Sequence, residues 1–202
     1  MATKQPRFTT PKGTAKYPWL NKPDTKFNPD GDYKVTLVVP VEEADTIMQF
    51  LDEQMALSEA KAKKDNPGKK VKVADAPYKV DEDNGAVEVN FKLKAKVTMQ
   101  SGDSFEQKPA LFDAKGKPMT NVNVGGGSKV KVSYECVPFY TALIGAGISL
   151  RLRAVQVIDL VEFSGGADAG AYGFGEEDGF EAEDNSSPFE DTDGNQEDSS
   201  DF

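Results

Sequence analysis

The stretch 86-AVEVNFKLKAKVTM-99 alternates without a break. Val87, Val89, Phe91, Leu93, Ala95, Val97 and Met99 take one side; Glu88, Asn90, Lys92, Lys94, Lys96 and Thr98 take the other. A period of two marks a strand with one face in a core and one in water. Asp83-Asn84-Gly85 supplies the turn before it. The same period puts Lys92, Lys94 and Lys96 in one row, either the wet face of a sheet or a track for a polyanion.

Working outward, Tyr33 to Val39 reads as a strand entered through Asn28-Pro29-Asp30-Gly31. Lys129 to Cys136 alternates again, with Lys129 and Lys131 on one face, and runs on into Val137-Pro138-Phe139-Tyr140. Gly145 and Gly147 bend the chain into a last strand, Ile148 to Phe163, where Ser149, Arg151 and Arg153 share a face. Ser104 to Asp113 is the fifth candidate. Between the first two strands, Glu42 to Lys64 carries Ile47, Phe50, Leu51 and Met55 at helical spacing, acids early and lysines late, and Asn66-Pro67-Gly68 stops it. The lysines from Lys61 to Lys72 read as the solvated end of that helix. Five strands, one inserted helix and no alternation of strands with helices predict a mostly β fold. The economical form is a five-stranded OB-fold barrel; a two-sheet sandwich is the alternative.

The two ends differ in charge. Residues 1–30 interleave Lys4, Arg7, Lys12, Lys16, Lys22 and Lys26 with Phe8, Tyr17, Trp19 and Phe27, and five prolines forbid a long helix. They predict a basic, aromatic N-terminal arm lying on the body. Trp19, the only tryptophan, either plugs a barrel end or offers a stacking platform. Residues 164–202 hold 13 of the 34 acids and no base, since the last of the 24 lysines and arginines is Arg153. The total of −10 therefore divides into a body, 1–163, of 24 bases against 21 acids and a strongly anionic tail. The tail lacks any aliphatic run that could offset the entropy of ordering it and is expected to be disordered. Phe174, Phe180, Phe189 and the terminal Phe202 punctuate it, so it resembles in charge and ring spacing a single strand of nucleic acid.

Several chemistries are poorly served. With no histidine and one cysteine, Cys136, neither a common zinc site nor a histidine-dependent nucleophile can be assembled. Gly125-Gly126-Gly127-Ser128-Lys129 has the wrong order and the wrong following element for a phosphate loop. Asp81-Glu82-Asp83-Asn84-Gly85 lacks the glycine and glutamate positions of a calcium loop. No apolar run approaches the roughly 18 residues of a membrane span, and the first ten residues hold no apolar leader, so an intracellular, non-enzymatic protein without cofactor is expected. What remains is a constellation for single-stranded nucleic acid. Lys92, Lys94, Lys96, Lys129, Lys131, Arg151 and Arg153 suit a phosphate backbone, and Tyr17, Trp19, Phe139 and Tyr140 suit unstacked bases. The rival reading is an acidic DNA mimic acting mainly through its tail.

The order GTAKYPWLNKPD, DYKVTLVVP, FKLKAK, DAKGKPM, VGGGSKVKVSYECVPF and a glycine-linked acidic tail ending in Asp201-Phe202 resembles the single-stranded DNA-binding proteins of T-seven-like short-tailed bacteriophages. The resemblance implies an OB-fold DNA-binding domain over 1–163 acting in phage DNA replication, with recombination and repair as further settings. It implies a tail, 164–202, that occupies the DNA groove when no DNA is bound, supports a homodimer and docks the phage DNA polymerase and primase-helicase through Asp201 and Phe202. By position it assigns DNA contact to Lys94, Lys131 and Phe139, and it places the protein in the cytoplasm of an infected bacterium.

Overall fold

The computed structural model describes residues 6–99, 101–120 and 122–162. Ala86–Lys94 forms a strand because its apolar side has a matching partner. Val87, Val89, Phe91 and Leu93 stand opposite Val39, Leu37, Val35 and Tyr33 of an antiparallel neighbour, Asp32–Pro40, and all eight are buried. In chain order the elements are β1 (Phe8–Thr9), β2 (Gly13–Asp24), β3 (Asp32–Pro40), α1 (Val41–Asp65), β4 (Tyr78–Asp81), β5 (Ala86–Lys94), β6 (Lys96–Thr98), β7 (Ser104–Glu106), β8 (Ala110–Phe112), β9 (Lys129–Thr141) and β10 (Gly145–Asp159).

Five strands close a ring. β2 pairs with β3, β3 with β5, β5 with β10, β10 with β9, and β9 returns to β2 through Gly13↔Val130 and Thr14↔Lys129. All contacts are antiparallel except β5 with β10, which run parallel at Lys92↔Arg151. This is the five-stranded OB-fold barrel, mostly β with one inserted helix. Closure satisfies the ladder groups that an open sheet would leave at its edges. β1 extends β9, β4 extends β5, and β8 runs parallel to β10. The disordered tail expected after residue 163 lies outside the described residues.

The barrel count is five, but one member differs from expectation. Gly13–Asp24, read as part of an arm over residues 1–30, is the first barrel strand. Its prolines are accommodated because the ladder with β3 breaks on either side of Trp19, between Lys16 and Trp19 and between Trp19 and Asp24. Pro18 and Pro23 fall in those breaks, where no ladder donor is needed. Tyr17, at φ +50°, marks the first. Conversely, the segment from Ser104 to Asp113 is no barrel strand: β7 pairs with β6 and β8 lies outside the ring. The long strand from Ala86 also ends early. Ala95 N–H donates to Gly31 O at 2.9 Å, and the chain leaves for the β6–β7 hairpin.

The helix buries Ala44, Ile47, Leu51, Met55, Ser58 and Ala62, a stripe at intervals of three and four, against β3, β5, β9 and β10. Ser58 is a polar member of that stripe, and its hydroxyl donates to Gly147 O at 2.7 Å. Phe50 meets Phe8 at 4.5 Å between ring centroids, Phe8 meets Tyr134 at 6.0 Å and Tyr134 meets Phe91 at 5.1 Å. This chain of rings ties β1 and the helix to the barrel interior.

Phe91 is fully enclosed, so Phe91→Ala should destabilise the fold by about 3–5 kcal/mol, read from urea unfolding. Burial pushes the Cys136 thiol up to about 11. A thiol reagent at pH 8 should leave the native protein unmodified and label Cys136 only once the barrel is unfolded.

Candidate nucleic-acid interface

On the outer face, register aligns one residue from each barrel strand. Trp19 on β2 stands opposite Lys34 on β3, Lys34 opposite Lys92 on β5, Lys92 opposite Arg151 on β10, and Arg151 opposite Glu135 on β9. Four inter-strand steps make this row about 19 Å long, crossing the strands rather than following one of them.

Every cation in the row rests on a carboxylate. Lys34 Nζ lies 2.5 Å from Asp24 Oδ2, and Lys92 Nζ 2.9 Å from Asp32 Oδ2. Three arginines meet Glu135: Arg153 Nε at 2.9 Å, with Arg7 Nε and Arg151 Nη1 each at 3.7 Å. The three acids are buried while the cations are about one-third to three-fifths exposed. A carboxylate removed from water needs a cation, so each acid fixes the base above it. Hydrogen bonds from Lys34 Nζ and the Lys26 backbone N–H hold the Asp24 carboxyl below the usual carboxylate range. Five cations over three acids leave the row at about +2, positive but far less so than the bases alone would make it.

Of the residues expected to bind, Trp19, Lys92 and Arg151 belong to the row, and Arg153 joins it through Glu135. Lys94 is exposed at the end of β5, opposite Asp32. Lys96 lies on β6 outside the barrel, so the expected row of three lysines along one strand is interrupted after Lys94. Lys129 and Lys131 sit six and four residues before Glu135 on β9, roughly 20 and 13 Å along the strand. Lys129 Nζ donates to Thr14 Oγ1 at 2.7 Å.

The rings divide likewise. Trp19 is 43% exposed and lines a groove of about 280 Å³ with Leu20, Lys22 and the loop from Asn123 to Gly126, so it does not plug the barrel. Asn21 clamps that loop: its Nδ2 donates to Val122 O and its Oδ1 accepts from Val124 N–H. Ser128, buried, donates to Gly125 O and accepts from Val161 N–H, so the glycine loop is stitched in place. Tyr17 is mostly exposed, with Lys16 Nζ 5.5 Å from its ring centroid. Phe139 and Tyr140 lie elsewhere, beside α1, around a cavity of about 170 Å³ with Ser58, Lys61 and Asp65. A Cβ on Gly147 would sit 2.7 Å from Phe139 Cζ, so that ring is already held against the backbone. Asp201 and Phe202 lie outside the described residues.

Sequence reading missed Asp24, Lys34, Asp32, Glu135 and Arg7. Arg7 entered only as one base of the N-terminal arm, and Glu135 left a trace as the one acid on a strand whose other outward positions hold lysine, serine, valine, phenylalanine and threonine.

Residues 12–160 match the family model described as single-stranded DNA-binding protein, bacteriophage T7. The single-stranded DNA-binding protein of Escherichia phage T7 is 33% identical over 183 residues, covering 80% of this chain and 79% of that protein. That of Enterobacteria phage T3 is 33% identical over 186 residues, with the same coverage. The crystal structure of gp2.5, a single-stranded DNA-binding protein encoded by bacteriophage T7, superposes with a TM-score of 0.70 at 31% identity, covering 89% of this chain and all of that one. The chain belongs to this family of phage single-stranded DNA-binding proteins.

Proposed function

We propose that the protein binds single-stranded DNA with little sequence preference during phage DNA replication, with recombination and repair as further settings, in the cytoplasm of an infected bacterium. The observation that carries this reading is the cross-strand row, a line of anchored cations ending at an exposed tryptophan. Such a line suits the phosphates of a strand laid across the barrel, and the Trp19 ring suits one base lifted from its neighbours. Lys94, Lys129 and Lys131 widen the positive field, Lys96 extends it onto the hairpin, and Tyr17, Phe139 and Tyr140 are secondary platforms. No cofactor or catalytic step is invoked.

The domain division at residue 163 belongs to the same proposal. The tail, 164–202, competes with DNA for the row. It supports a homodimer, and once displaced it recruits the phage DNA polymerase and primase-helicase through Asp201 and Phe202. Its charge supports this: 13 acids, no base, and a terminal ring.

Binding of a fluorescent oligothymidylate, followed by anisotropy, tests the reading. The protein should prefer it to duplex of equal length, and log affinity should fall with log salt by about 0.7 per phosphate contacted. Trp19→Ala should cost roughly 1–3 kcal/mol of binding. Absence of oligothymidylate binding alongside capture of a basic partner would favour a DNA mimic instead.

A tethered segment presents itself at about millimolar concentration, so a tail affinity on the order of 0.1 mM would weaken DNA binding about tenfold. Removing residues 164–202 should restore that factor. Equal affinity with and without the tail would end the competition idea.

A further inference from the structure

The row ends in a cluster whose stoichiometry is unusual. One guanidinium suffices to neutralise a buried carboxylate, yet Arg7, Arg151 and Arg153 all converge on Glu135, whose side chain is 3% exposed. Two of the three positive charges are thus in excess; they repel one another and remain uncompensated. The chain goes out of its way to arrange this. Leu152 pairs with Tyr134 and Ala154 with Ser133, so Arg153 is the extra residue of a β-bulge, a device that re-aims one side chain. β1, the two-residue extension of β9, begins one position after Arg7 and sets that side chain against the same acid.

The contacts are also incomplete as hydrogen bonds. At 3.7 Å, Arg7 and Arg151 are attracted to Glu135 but not bonded to it. Arg153 Nε is closer, at 2.9 Å, but out of line, and this buried nitrogen makes no hydrogen bond. The guanidinium groups are thus gathered by charge, and apart from the buried Arg153 Nε their donors on the exposed parts of the three side chains stay open to a ligand. Guanidinium forks suit phosphate oxygens, and a fork already held in place loses less freedom on binding than a free one.

We propose that Arg7, Arg151 and Arg153 form a prearranged phosphate site and that Glu135 is its positioning residue. Resting on the function proposed above, the ligand is a phosphodiester of single-stranded DNA at the β9–β10 end of the row, next to Lys92. The acid lies beneath the guanidinium layer and the phosphate above it. Glu135 therefore promotes the binding of an anion although it is itself an anion.

The test turns on that opposition of sign. In the full chain, Glu135→Gln removes a negative charge, and charge alone predicts tighter binding of oligothymidylate. Positioning predicts the reverse: affinity lower by about five- to tenfold and a shallower salt dependence, with the melting curve still cooperative. Arg7→Gln, at a half-exposed side chain, should lower affinity about threefold or more and reduce the salt slope by about 0.7, with thermal stability unchanged. A folded Glu135→Gln protein that binds as tightly as the wild type, or more tightly, overturns the proposal. Should that variant fail to fold, Arg7→Gln decides: unchanged affinity and slope overturn it equally. Failure of the wild-type protein to bind oligothymidylate would instead defeat the single-strand reading itself.

Discussion

Closing the barrel forces like charges together. The ring is completed by the parallel contact of β5 with β10, and its register sets Lys92 beside Arg151, with Lys34 already beside Lys92 on the other side. Bases on adjacent strands lie within about 5 Å of one another through their backbones, where unscreened repulsion would oppose the pairing. Asp24, Asp32 and Glu135 resolve the conflict from beneath, each buried and each against one or more of the bases. The acids belong to the architecture before they belong to any binding event. Without them the ladder that closes the barrel would run through a band of mutual repulsion.

That solution shapes what the surface can do. A stripe of free lysines binds polyanions strongly at low salt and loses them steeply as salt rises. A stripe anchored on buried carboxylates has less net charge but fixed geometry, so less side-chain freedom is surrendered when a ligand arrives. The next rung of the sheet is milder: Thr36 Oγ1 donates to Asn90 Oδ1, and Lys16 is spent on Glu88 at 2.7 Å. Among the described residues of these rungs, the charge available to a ligand is concentrated in the row, and Trp19 stands at one end of it with the arginine cluster at the other.

The aromatic residues divide between structure and surface for a physical reason. Phe8, Phe50, Phe91 and Tyr134 form a chain of ring contacts that carries the link from β1 and the helix into the barrel. Phe139 is half committed, held between Gly147 and the helix. Trp19 escapes because the ladder breaks on both sides of it, leaving β2 free to turn the indole toward the groove formed with the glycine loop. The prolines that argue against regular structure in this segment are what create those breaks.

Local pattern determined much of this molecule. Alternation marked β3, β5, β9 and β10, and helical spacing marked α1 to within a residue at each end, because burial on one face is written into consecutive side chains. The kinds of residue that form the row, lysine, arginine and the one tryptophan, were also legible, but the exposure of Trp19 was set by the fold. Tertiary structure decided the rest. That Gly13–Asp24 is a barrel strand depends on partners at both its edges, supplied by β3 and by β9 more than a hundred residues away. That Lys34, Lys92 and Arg151 form one line while Lys129 and Lys131 stand apart depends on register between strands distant in sequence. The roles of Asp24, Asp32 and Glu135 depend on both, since an acid becomes an anchor only when folding has removed it from water and brought a base against it.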